Sequence, residues 1–122
     1  MTHKHYPLTK EGIREALETG VHGVYCLFFA SFRNKRYVGS SVCMRSRLMS
    51  HLNKMKKGQH KNRHLGGLYK AWPHAARFYV VEVTDTPEDA RRLEQCILDF
   101  TPKSRLYNQD AVVYGVNKKK KR

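Results

Sequence analysis

Residues 23–32 read GVYCLFFASF, and residues 36–41 read RYVGSS. A continuous apolar and aromatic run opened by Gly23 and closed by the polar residues Arg33, Asn34 and Lys35 predicts a strand buried on both faces that enters a hairpin turn. The partner strand is then 36–41, with Gly39 at a point where the chain bends or another group comes close. Such a hairpin sets Tyr25 and Tyr37 on neighbouring strands.

Working outward, residues 9–19, TKEGIREALET, carry an N-cap residue, early acids and one apolar face of Ile13, Ala16 and Leu17, and predict a short helix stopped by Gly20. After the hairpin, Met44, Leu48, Leu52 and Met55 recur at helical spacing up to Gly58, giving a strongly basic amphipathic helix. A second helical stretch over about 62–72 carries Leu65, Leu68 and Trp72 before Pro73. Residues 76–83, ARFYVVEV, predict a third strand. Thr86 then caps a helix with Pro87 at its first position and Glu88 and Asp89 at its positive end, running to about Phe100. The order α-β-β-α-α-β-α implies an α+β fold, a small three-stranded sheet flanked by helices.

The chain has 122 residues, enough for one core, and sets 24 Lys and Arg against 10 Asp and Glu for a formal charge of +14. An excess of this size points to a polyanionic partner. No stretch approaches the roughly 20 apolar residues of a membrane span, and no signal peptide is evident, so nucleic acid is preferred to a membrane surface. Three widely spaced cysteines, Cys26, Cys43 and Cys96, make neither a disulfide framework nor a zinc pair and read as small core residues of a protein in a reducing, cytoplasmic compartment. The tail from Asn117, NKKKKR, is too charged to bury.

Two helices carry anomalies. In the last one, Ala90, Leu93, Ile97, Leu98 and Phe100 form an apolar stripe at about 100° per residue, and Glu94 falls inside it. A carboxylate there needs a salt bridge, for which Arg47 is available, a bound metal, or an escape to the stripe's edge. In the basic helix, Arg47 and His51 lie four residues apart on one face. They fit a solvated basic surface or half of a phosphate site. Tyr25 and Tyr37 are equally open to plain sheet packing, and Asn108 to being a turn residue. His60 and His64 have the spacing of a zinc pair without further ligands, and a basic DNA-facing loop is preferred.

Taken in order, Gly23-Val24-Tyr25, Tyr37-Val38-Gly39 twelve positions after the first tyrosine, Arg47 ten after Tyr37, His51, the Lys57-Gly58-Gln59-His60 segment, Glu94 and Asn108 resemble the GIY-YIG endonucleases, in particular the phage and homing-enzyme branch. The resemblance covers roughly residues 23–109, leaving 1–22 as an N-terminal helical extension and 110–122 as a basic tail. It departs from members that carry a lysine soon after the second tripeptide, since Ser40 and Ser41 stand there. The resemblance implies a DNA endonuclease using one Mg²⁺ or Mn²⁺ on Glu94, the only protein carboxylate of the site. In that scheme Tyr25 is the general base, Tyr37 orients water, Arg47 holds the phosphate, His51 bonds a tyrosine hydroxyl or the attacking water and could take up its proton, and Asn108 fixes the backbone. Lys54, Lys57, His60, Lys61, Arg63, His64, Lys118, Lys119 and Lys120 are expected to contact DNA phosphates. Homing relatives carry a separate recognition module, so intrinsic specificity should be weak unless a homodimer or a partner protein supplies it. The alternatives are a basic nucleic-acid-binding protein that has lost cleavage and an RNA-associated protein.

Overall fold

A computed structural model describes residues 3–108. Strand β1 spans His5–Pro7, helix α1 Lys10–Ala16, β2 Gly23–Phe29, β3 Phe32–Ser41, α2 Met44–Lys56, α3 Arg63–Ala71, β4 Ala76–Val83 and α4 Pro87–Asp99. The four strands form one antiparallel sheet in the order β1-β4-β2-β3. Every residue of β2 is buried, as its unbroken apolar run requires of a strand with neighbours on both edges and layers on both faces.

The pleat divides β2 between two cores. Tyr25, Leu27 and Phe29 point toward α1, α2 and α3, where Ile13, Leu17, Leu48, Leu52 and Leu65 meet them. Val24 and Cys26, with Val38 of β3, face α4 through Ala90 and Leu98. Alternate residues of one strand thus support opposite helical layers.

The sheet has four strands rather than three. His5–Pro7 adds an edge strand on β4 that is too short to show a period of two, and Pro7 is tolerated because it lies on that edge. The N-terminal residues therefore share the main core, with Leu8, Ile13 and Leu17 buried in it. Gly12 seats α1 on this strand, since a Cβ there would stand 2.2 Å from the Pro7 carbonyl oxygen.

The hairpin turn lies at Ala30 and Ser31, not at 33–35. Phe29 pairs with Phe32 and Leu27 with Tyr37, a register shift that accommodates extra residues in β3. Arg33, Asn34 and Lys35 belong to an edge strand, where charged side chains reach water and discourage further pairing. Their polarity mimics a turn.

Phe100, Cys43 and Cys96 also depart from the sequence reading. Phe100 follows the end of α4 as its C-cap and is 84% exposed, so it leaves the apolar stripe. Trp72, 48% exposed, packs edge-on to Phe32. Of the cysteines, Cys26 is buried, while Cys43 caps α2 half-buried and Cys96 is exposed. No helix among the described residues is long and apolar enough to cross a membrane. Lys118, Lys119 and Lys120 lie outside the described residues.

Candidate active site

The site sits astride edge strand β3. Tyr25 pairs with Gly39 and Leu27 with Tyr37, so both tyrosines occupy the face toward α2. Gly39 permits this packing: a Cβ there would fall 2.5 Å from Tyr25 Oη and 2.6 Å from its ring carbon Cζ. From α2, His51 is buried and lies edge-on to both rings, at 5.7 Å from Tyr25 and 5.4 Å from Tyr37.

His51 is the middle of a hydrogen-bonded chain. Its Nε2 lies 2.8 Å from Tyr25 Oη, and its Nδ1 lies 2.7 Å from His60 Nε2. The Asn62 backbone N–H donates to His60 Nδ1 at 3.0 Å. That one fixed donor orders the rest. With Nδ1 accepting, neutral His60 carries its proton on Nε2 and donates to His51 Nδ1. Neutral His51 then carries its proton on Nε2 and donates to the Tyr25 oxygen. Both rings are held neutral. Burial chiefly, then His60, Arg47 and Lys54, lower the His51 pKa to about 3, and burial followed by Lys54 lowers that of His60.

Burial pushes the Tyr25 phenol well above its ordinary value, and Tyr37 adds to the rise. Arg47, one turn before His51 on α2 and exposed, opposes it and also acts on Glu94 and His51. The guanidinium charge is therefore near all three groups.

Glu94 reaches β3 from the opposite layer. Its Oε1 accepts from Ser40 Oγ at 2.5 Å. Burial raises its pKa, against the Ser40 hydrogen bond and the charge of Arg47. The salt bridge to Arg47 is not formed: the only ion pair among the described residues joins Arg92 to Glu88. A partly desolvated carboxylate without a contacting cation is an unfavourable arrangement that a hard divalent ion would relieve. Glu94 fits such an ion, and no cluster of three acidic, histidine or cysteine ligands exists among the described residues to compete for it.

Asn108 fixes β3 from its outer edge, accepting from the Val38 N–H at 2.9 Å and donating to the Val38 carbonyl at 2.8 Å. One side chain replaces a missing neighbouring strand beside Tyr37 and Gly39.

The expected DNA contacts divide. Lys54, Lys57, Lys61, Arg63 and His64 are exposed. His60 is not a free loop residue, because both its ring nitrogens are engaged, and it makes no zinc pair with His64. Two contributors carry little signal in the sequence. Ser40 stands out there only for not being lysine. Asn62 reads in the sequence only as a helix start; it is buried, caps α3 through Leu65 N, and donates from Nδ2 to the Tyr107 carbonyl at 2.8 Å.

The model of the GIY-YIG catalytic domain matches residues 21–108 of the chain. The chain belongs to the GIY-YIG family. It is, accordingly, an endonuclease. The fold is similar to the solved catalytic domain of the intron homing endonuclease I-TevI. A glutamate-to-alanine variant of that domain gives a TM-score of 0.65 at 20% identity, over 78% of this chain and 99% of the other. A second structure of the domain gives 0.61 at 20% identity, over 73% and 98%. A sequence search of the curated proteins finds no match. Helix α1 and strand β1 precede the residues that the GIY-YIG model matches.

Proposed function

We propose that this GIY-YIG domain hydrolyses DNA phosphodiesters with a divalent cation, Mg²⁺ or Mn²⁺, held by Glu94. The observation that carries the reading is the hydrogen-bonded chain ending on Tyr25, opposite a carboxylate that lacks a contacting cation. When bound, the cation would neutralise the phosphate and stabilise the leaving oxygen.

The remaining work falls to the protein. Tyr25 takes a proton from the attacking water, for which it must first be a phenolate, its own phenolic proton having passed to solvent water as substrate and cation bind. Burial and Tyr37 oppose that state, while Arg47 favours it. The N–H of His51 aimed at the Tyr25 oxygen favours it too, because a donor stabilises the charged acceptor. His51 in this tautomer supports the phenolate and does not remove its proton. Tyr37, on the same face, orients the water. Arg47 can bind the scissile phosphate with its planar fork and favours the charge that grows on it in the transition state. Ser40 orients Glu94, and Asn108 holds the strand bearing Tyr37.

Exposed Lys54, Lys57, Lys61 and Arg63 would neutralise flanking phosphates largely without regard to sequence. Target choice would then rest with a second copy or a partner.

The test is plasmid nicking by Glu94→Ala in Mg²⁺. The variant should bind DNA as the wild type does and cleave none. Undiminished cleavage would remove Glu94 from the site, and wild-type binding without cleavage in either metal would leave a nucleic-acid-binding protein.

A further inference from the structure

Away from the tyrosines, α1 and α2 enclose an open groove of about 640 Å³ that ends at Gln59. Its lining includes Arg14 from α1 and Arg45, Ser46, Ser50, Lys54 and Lys57 along α2, and among the described residues no carboxylate lines it. The groove side of α2 lies opposite its buried stripe of Met44, Leu48, Leu52 and Met55. Four cations and several hydroxyls therefore share one concave surface without an internal counter-charge. Arginine forks and hydroxyl donors are the groups that bind phosphate oxygens.

The groove approaches the site along one edge, at Lys54. Lys54 borders it and is near enough for its charge to act on His51 and His60. Arg45 to Lys57 spans about 18 Å of helix at 1.5 Å per residue, the length of roughly five base pairs measured along a duplex axis at about 3.4 Å each. One wall is Arg14 of α1, which the family's matched residues 21–108 do not include. This contact would be an addition by this chain to the shared catalytic domain.

We propose that the α1–α2 groove holds the sugar–phosphate backbone of one DNA strand beside the cleaved bond, with Arg14 and Arg45 as its phosphate contacts. The proposal rests on the DNA endonuclease reading above. It assigns the N-terminal helix a role in substrate binding besides its place in the core.

The experiment compares the full chain with Arg14→Gln/Arg45→Gln, which keeps most of each stem and removes both charges. A charge-matched control is Arg92→Gln/Lys103→Gln, on exposed positions outside the groove. Binding of a fluorescent 30-base-pair duplex is followed by anisotropy over a NaCl series without divalent metal. The groove variant should lose about tenfold in affinity at 0.1 M salt, and its slope of log K against log salt should shrink by about 2. The exposed single change Arg14→Gln should shrink it by about 1. The control should keep most of the wild-type slope. A groove variant with the wild-type slope, or a control that loses as much, overturns the proposal, as does a wild type that binds no duplex. Duplex binding without Mg²⁺-dependent cleavage would overturn the nuclease reading alone, since the slopes still decide the groove.

Discussion

Tyr25 lies so close over Gly39 that a single added carbon at residue 39 would stand 2.5 Å from the phenolic oxygen. The glycine of the second tripeptide and the tyrosine of the first are thus two halves of one packing decision, made across the β2–β3 pair. Gly39→Ala would push the ring away from His51 and out of line with the substrate. Misplacement of a reacting group by about 1 Å can cost about 10²-fold, while overpacking costs about 1–3 kcal/mol. The variant should remain folded by circular dichroism, with DNA affinity near wild type and cleavage down about 10²-fold. Full activity would mean that Tyr25 has freedom the packing denies it.

His60 tests the hydrogen-bonded chain. As a positioning residue it acts through His51, so His60→Ala should lower kcat by about 10²-fold and change its pH profile. KM and the salt dependence of binding should stay near wild type. A phosphate contact would give the reverse pattern. His60→Gln, whose amide can still donate to His51 Nδ1, should recover part of the rate.

Ser40 tests how Glu94 is held. The hydroxyl fixes one carboxylate oxygen at 2.5 Å, and outer partners of a metal ligand typically contribute 10–100-fold to metal affinity. Ser40→Ala should raise the Mg²⁺ concentration at half-maximal cleavage by about 10-fold, with much of the rate restored at saturating metal. A rate lost equally at every metal concentration would place Ser40 in the chemical step instead.

The parts legible in the sequence were those in which one side chain's environment follows from its own element. The buried run of β2 and the 76–83 strand follow from composition and period, and the stripe of α2 from its spacing. The edge was harder to read. Arg33 to Lys35 look like a turn because an edge strand and a turn are both wetted, and β1 is too short to carry a pattern. Within the site, the positions of Tyr25, Tyr37, Arg47, His51 and Glu94 were visible as an ordered set, yet no spacing reports that His60 turns inward. That depends on Asn62, whose backbone meets His60 and whose amide meets Tyr107, 45 residues away. Asn108 was open between turn and support for the same reason, since its partner Val38 is 70 residues away.

Asn108→Ala should therefore act on the strand. Two hydrogen bonds to Val38 would be lost, at about 1 kcal/mol each, and β3 would loosen beside Tyr37 and Gly39. The expected result is a lower melting temperature, faster amide exchange at Val38, and reduced cleavage with unchanged metal requirement. Protected exchange in a poorly active variant would show that Asn108 acts on substrate.

Acid should destabilise the fold through His51. Its pKa, lowered to about 3 mainly by burial, lies below the ordinary value of about 6.5 in the unfolded chain. Between those values the unfolded state binds more protons than the native one, so stability increases with pH across the window. The contribution is full above about pH 6.5 and is lost as pH falls toward 3, at up to about 1.4 kcal/mol per pH unit. His60, also lowered, works in the same direction. Glu94, raised by burial, works in the opposite one, because its protonated form is favoured in the folded state. The difference between wild type and His51→Gln isolates the histidine. Thermal unfolding from pH 7 to pH 4 should show the wild-type midpoint falling more steeply than that of the variant, in which no imidazole must be kept uncharged. Parallel curves would mean that His51 takes up its proton as readily in the folded protein as in the unfolded one, so that burial does not hold the imidazole neutral.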